Sequence, residues 1–182
     1  MTAAKSQRKS PDTPIRRRLK LSVVAPCYNE EIVLVDDGSH DATWRLIQDK
    51  ADSNSHIRGI SLSRNFGHQI ALSAGLDACV GDWIFVIDAD LQDPPELLGD
   101  MLKLADGGAD VVYGKRRARP GDSVTRKLAA AMFYRTLNLL SDFDIPEDAG
   151  DFRLMSRRVL DALKQMPEQH RYIRGMVSWV GF

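Results

Sequence analysis

Two aspartates, Asp88 and Asp90, stand two residues apart at the end of an apolar, β-branched and aromatic run, Trp83-Ile84-Phe85-Val86-Ile87. Such a run reads as a strand buried on both faces of a parallel sheet. While the chain stays extended, this spacing projects both carboxylates from one side of the strand's carboxyl end, which is where open α/β sheets bind ligands. Paired carboxylates repel unless a cation lies between them, and hard oxygen donors favour Mg²⁺ or Mn²⁺ shared with substrate phosphates. Asp88 and Asp90 are therefore candidate ligands of a metal-diphosphate site. Asp93-Pro94-Pro95-Glu96 reads differently. An N-cap acid, Pro at the first helical position and Glu at N3 form a capping box, so Asp93 is expected to be structural.

These acids need a sheet to hold them. Leu21–Ala25 reads as a first strand, leading into Pro26-Cys27-Tyr28-Asn29-Glu30-Glu31, and Ile32–Val35 as a second, closed by Asp36-Asp37-Gly38-Ser39. The acids at 36 and 37 again fall at a strand's carboxyl end, so both clusters would face one crevice. Ser39 is expected to cap a helix running from about Asp41 to Ser53. Ile57–Ser63 alternates as a third strand, and Arg64-Asn65-Phe66-Gly67-His68-Gln69 opens a helix with Ile70, Ala71, Ala74 and Ala78 on one face. Arg64 is a candidate for a diphosphate because a guanidinium matches phosphate oxygens bidentately. A lone His68 reads as packed or solvated and stays outside the catalytic set.

Beyond the central motif, Pro94–Ala105 reads as a helix with Leu97, Leu98, Met101 and Leu102 toward the core, and Val111–Tyr113 as a further strand. The basic loop Lys115-Arg116-Arg117-Ala118-Arg119 precedes a long amphipathic helix from about Ser123, which carries Arg126 and Lys127. That combination suits a lipid phosphate at a membrane surface. Asp151 and Arg153 share a face if their segment is a strand, and need not if it is a turn.

Parallel neighbours need a crossover of a dozen or more residues, whereas only Tyr28 to Glu31 separates Pro26 and Cys27 from Ile32. A five-residue strand already spans roughly 17 Å, and one peptide link covers about 3.8 Å. Because both strands deliver polar residues at their carboxyl ends, they are expected to run in one direction toward a shared crevice. Glu31 and Ile32 are therefore expected to lie far apart in space with a crossover missing between them; a continuous backbone there would mean that the first two strands are not parallel neighbours.

With 182 residues, 43% hydrophobic and 27% charged at zero net charge, the chain can bury one good core. No apolar run reaches the length of a membrane span, and the N-terminus lacks the apolar stretch of a signal peptide. Cys27 and Cys79 offer neither a disulfide framework nor a metal spacing, which suits a reducing cytosol. Residues 1–18 are expected to form a disordered basic tail, either solvated or lying on anionic lipid. Without aromatic residues among its charges, nucleic-acid binding finds no support.

From Asp88 to Glu96 the sequence resembles the aspartate-any-aspartate motif of inverting family-2 glycosyltransferases of the polyprenyl-phosphate hexose synthase type. The resemblance extends over 19–182 and includes Arg64-Asn65-Phe66-Gly67, Gly150-Asp151-Phe152-Arg153-Leu154-Met155-Ser156-Arg157 and Arg174-Gly175-Met176-Val177-Ser178-Trp179. It implies a GT-A fold, α/β and Rossmann-like, with a mostly parallel sheet flanked by helices. It further implies that Pro26, Tyr28, Glu30, Asp37, Arg64, Asp88, Ala89 and Arg174 bind a nucleotide-sugar, and that Asp88, Asp90 and Gln92 hold Mg²⁺ or Mn²⁺. Arg116 and Arg126 are expected to take the acceptor phosphate, and Asp90, Asp151 and Arg153 to lie at the reacting centre.

The reaction implied by this resemblance is hexose transfer, with inversion, from UDP-glucose or GDP-mannose to a polyprenyl phosphate. Family members continue into membrane helices that are not seen in this sequence, so the full-length protein is expected at the cytoplasmic face of the bacterial inner membrane. A homo-oligomer is left open. Two other readings stand beside this one. A haloacid-dehalogenase-type phosphatase also carries Asp-any-Asp, but would want Thr or Val in place of Gln92 and the motif on its first strand. An inactive nucleotide-binding remnant is suggested by the missing crossover after Glu31 and the missing membrane helices.

Overall fold

The apolar run at Trp83 is an interior strand of a six-stranded sheet in the computed structural model, which describes residues 21–27, 31–90, 92–115, 149–168 and 171–182. The strands are β1 (Leu21–Cys27), β2 (Ile32–Asp36), β3 (Ile57–Ser61), β4 (Trp83–Asp88), β5 (Val111–Lys115) and β6 (Ala149–Ser156), in the order β3-β2-β1-β4-β6-β5. The helices are α1 (Thr43–Ser53), α2 (His68–Ala78), α3 (Leu98–Asp106), α4 (Arg157–Gln165) and α5 (Ile173–Trp179).

The α/β class holds. Within it, the strand directions depart from a mostly parallel sheet. Among the described residues only β2 and β3 pair parallel, joined through α1, while the other four ladders are antiparallel. For β1 the cause is chain length. The short link before Ile32 cannot carry a crossover, so β1 and β2 pair as a hairpin with Val24 opposite Val33 and Leu21 opposite Asp36. The strands expected to be parallel across a missing crossover between Glu31 and Ile32 instead pair antiparallel. The expectation that β1 and β2 run in one direction toward a shared crevice is thereby overturned. The start of β1 lies beside the acids, with Ser22 opposite Asp88, while its end at Cys27 lies opposite Trp83.

Two apolar layers enclose the sheet. On one face Val33, Val35, Ile84, Val86 and Met155 meet Ala71, Leu72 and Leu76 of α2, Val159, Leu160 and Leu163 of α4, and Ile173, Met176 and Val177 of α5. On the other, Phe85, Phe152 and Leu154 pack against Met101 and Ala105 of α3. There the Phe85 and Phe152 rings meet edge-on, 5.2 Å apart at 72°, a favoured aromatic geometry. The alternation of β4 and β6 between these layers puts Ile84, Val86 and Asp88 on the α2 side, together with Met155, Arg153 and Asp151.

Several local expectations are corrected. Ile70 is exposed, and α2 buries Ala71, Leu72, Gly75 and Leu76. That helix is apolar nearly all round, so periodicity alone could not orient it. Leu97 is likewise exposed, while Met101 and Ala105 carry α3. Ser39 lies too far from α1 to cap it; Asp41 instead accepts the Thr43 N–H at 3.0 Å and the Thr43 hydroxyl at 2.6 Å. Asp93 is buried and does not cap a helix. The chain there makes a 3-10 turn, Pro95–Leu97, with Pro94 at its N-cap and no side-chain cap bond. The long helix expected from Ser123 lies outside the described residues.

Candidate functional site

Extending the β4–β6 register, in which Val86 faces Arg153, places Asp88 opposite Asp151. Like charges directly opposite on a sheet are destabilising, and a histidine hydrogen-bonds one of the two acids. His68, the first residue of α2, sets Nε2 at 2.8 Å from Asp151 Oδ2 and 3.8 Å from Asp88 Oδ1. Its pKa is raised, chiefly by the Asp151 hydrogen bond and also by the charges of Asp88 and Asp151, against the opposing effects of burial and Arg174. The sequence reading of His68 as a packed or solvated bystander is therefore corrected. No local signal marked it, because its partner lies 83 residues away.

Asp151 is the hub. Its side chain is 0% exposed, and both oxygens are occupied. Arg174 grips it bidentately, Nε to Oδ1 at 3.0 Å and Nη2 to Oδ2 at 2.9 Å, the fork geometry that makes guanidinium-carboxylate pairs strong. Arg153 adds Nη2 at 3.5 Å from Oδ1 and donates to the Gly150 carbonyl at 3.0 Å. Burial favours the neutral acid, but the hydrogen bonds from His68 and Arg174 and the charges of Arg174 and Arg153 outweigh it, holding Asp151 well below the usual carboxylate range. Asp151 and Arg153 do share one face of a strand. The rest of the motif is architectural: Ser156 donates to Asp110 Oδ1 at 2.6 Å, and Arg157 to the carbonyls of Gly81 and Cys79.

At the end of β4 the chain stops being extended. Asp88 is half-buried, whereas Asp90 lies in a turn, exposed, and accepts the Gln92 N–H at 3.0 Å. Burial raises the Asp88 pKa most; His68 lowers it, and the charges of Asp151, Asp90 and Asp93 raise it. Excess negative charge at a half-buried carboxylate is what a divalent cation would neutralise. No cluster of three or more acidic, His or Cys side chains suited to a metal exists among the described residues. A hard cation held by Asp88 and Asp90 would have to complete its shell with water and substrate phosphates.

A second acid pair sits at the end of β2. Asp37 is buried and accepts Phe66 N–H at 2.7 Å and Gly67 N–H at 3.0 Å, anchoring the start of α2. Asp36 accepts Ser39 N–H at 3.2 Å. Gly38, at φ 66, lies so close to the Arg64 backbone that a Cβ would collide with it, and its left-handed conformation suits glycine. Arg64 stacks its guanidinium 4.0 Å above the Phe66 ring. Of the other sequence candidates, Ala89 follows β4 in the turn, and Pro26 lies in β1 opposite Ile84. Tyr28, Glu30, Arg116 and Arg126 lie outside the described residues.

Residues 14–164 match the model of glycosyl transferase family 2. The chain is 43% identical over 188 residues to the uncharacterized glycosyltransferase YkcC of Bacillus subtilis, covering 91% of this chain and 58% of the relative. It is 40% identical over 185 residues to a prophage bactoprenol glucosyl transferase homolog of Escherichia coli, covering 90% and 60%. The bactoprenol glucosyl transferase of Shigella phage SfX is 38% identical over 185 residues, covering 90% and 61%. The chain thus spans about three fifths of the length of these relatives. Since 91% of 182 residues is about 166, roughly 22 of the 188 aligned positions of YkcC face no residue here, a shortfall of the size a crossover takes. No helix among the described residues is long and apolar enough to cross a membrane. The chain belongs to glycosyl transferase family 2.

Proposed function

We propose that the chain is the donor-binding part of an enzyme that transfers a hexose, with inversion, from a nucleoside diphosphate sugar to a polyprenyl phosphate. The observation that carries this reading is the pairing of Asp88 and Asp90 at the end of β4 with the Arg174–Asp151–His68 cluster on the same sheet edge. It sets a cation-seeking pair beside fixed positive groups, as a diphosphate leaving group requires. Relatives named as bactoprenol glucosyl transferases support glucose and a polyprenyl phosphate acceptor, and with them a place at a membrane surface. Arg116 and Arg126 are the proposed acceptor ligands.

In the reaction a phosphate oxygen of the acceptor bonds to the anomeric carbon while the carbon-oxygen bond to the nucleoside diphosphate breaks. A phosphomonoester whose second pKa is about 6 is already largely dianionic at neutral pH, so no strong base is needed. Asp151, enclosed by cationic partners and held well below the ordinary carboxylate range, serves to place Arg174 and does not abstract a proton. Asp88 and Asp90, with Gln92, would hold Mg²⁺ or Mn²⁺, which when bound would neutralise charge developing on the diphosphate. Arg174 and Arg64 are the proposed diphosphate contacts from this chain.

The test is transfer of radiolabelled glucose from UDP-glucose to undecaprenyl phosphate in detergent with Mg²⁺. A glucosylated lipid is expected; its absence with both UDP-glucose and GDP-mannose counts against catalysis by this chain. A second reading, a nucleotide-binding subunit without turnover, is favoured by the reversed β1, whose end at Cys27 lies opposite Trp83 while its start at Ser22 lies opposite Asp88. Binding of UDP without transfer would select it.

A further inference from the structure

We propose that His68 and Gln69, consecutive at the start of α2, are positioning residues that together set the Arg174 guanidinium at the diphosphate end of the site. The inference rests on the donor reading above. Arg174 is the second residue of α5, a helix of seven residues whose N-cap, Tyr172, makes no side-chain cap bond. Gln69 supplies what that cap lacks: its Oε1 accepts the Ile173 N–H at 3.0 Å, satisfying an amide that the helix itself leaves orphaned. Where α5 begins is thus decided by a side chain 104 residues earlier.

His68 acts on the other end of the same unit. Its Nε2 lies 2.8 Å from Asp151 Oδ2, the oxygen that also receives Arg174 Nη2 at 2.9 Å. A carboxylate gripped at that oxygen cannot rotate about its own axis without breaking the bidentate fork. Adjacent residues on a helix point about 100° apart, given 3.6 residues per turn, so one helix start reaches two different elements, β6 through His68 and α5 through Gln69. That start is itself pinned, because Asp37 holds the amides of Phe66 and Gly67 immediately before it. A continuous line therefore runs from the end of β2 through α2 to Arg174. It transmits hydrogen-bond geometry, so a neutral side chain with the same reach should serve in place of the imidazole.

The experiment is calorimetric titration of the chain with UDP in the presence of Mn²⁺, accompanied by melting curves. His68→Leu and Gln69→Leu are expected to weaken UDP roughly tenfold, whereas His68→Gln and Gln69→Glu, which keep the donor and the acceptor, remain within about threefold. In an Arg174→Ala background, His68→Leu should have no further effect, since residues acting through one group are not additive. If His68→Leu melts below the assay temperature, His68→Asn, which is polar but too short for Asp151, replaces it. Additive losses with Arg174→Ala, a His68→Gln variant as weak as His68→Leu, or unchanged affinity in both leucine variants overturn the inference and leave the donor reading standing. A wild-type chain that binds neither UDP nor GDP overturns the donor reading and the inference together.

Discussion

Asp37 and Asp151 are both buried at the same edge of one sheet, yet they do opposite work. Asp37 accepts backbone amides and organises a turn. Asp151 accepts side-chain cations and gathers Arg174, Arg153 and His68 into one cluster. Amides are dipoles that stay where the chain puts them, so an acid they satisfy closes its local structure. Guanidinium and imidazole groups bring partial exposure, and the guanidinium brings charge: Arg174 is 35% and His68 40% accessible at the side chain, so the cluster presents polar donors to solvent. A buried carboxylate is therefore read by its donors.

The comparison predicts unequal costs. Asp151→Ala should destabilise the chain most, by about 3–5 kcal/mol in chemical denaturation, because among the described residues it strands the nearly buried charge of Arg153 with only carbonyl partners. Asp37→Ala removes the acceptor of two amides without orphaning a charge, and should cost about 2 kcal/mol; an equal or larger loss would erase the distinction drawn between the two acids. The distinction is sharpened by acid. Since the folded pKa of Asp151 lies below its ordinary value of 3.8, its contribution is complete above that value and is lost as pH falls from there toward the folded pKa. The stability gap between wild type and Asp151→Asn should accordingly narrow below pH 3.8. Asp90→Asn, at an exposed turn, should change stability by no more than about 0.5 kcal/mol while abolishing divalent-dependent UDP binding. Unchanged Mn²⁺ dependence in that variant would remove the proposed metal site.

Much of the site was legible where its cause is local. The β4 run and its terminal acids and the motifs shared with the family all lie within short windows of sequence, whereas the common face of Asp151 and Arg153 was left open until β6 proved to be a strand. The misreadings share another origin. Ser39 and Asp93 have the residue types of helix caps, but capping depends on where the helix starts, and α1 and the 3-10 turn begin elsewhere. Ile70 misleads because an apolar helix has no polar face to orient it, and packing against β1 and β2 chooses Ala71 and Leu72 instead. The direction of β1 was misread because its polar residues were taken to need the same crevice as those of β2, whereas a short link permits only a hairpin between adjacent strands.

By itself, then, the sequence determined the apolar strands, the positions of the acids along them and the family to which the chain belongs. Those properties follow from composition and spacing over a few residues. Only the tertiary structure decided which donors meet each acid, that His68 bridges Asp88 and Asp151, and that Gln69 starts the helix carrying Arg174. A hydrogen bond needs its partners within about 3 Å, and whether residues 83 or 104 positions apart come that close depends on how helices pack on the sheet.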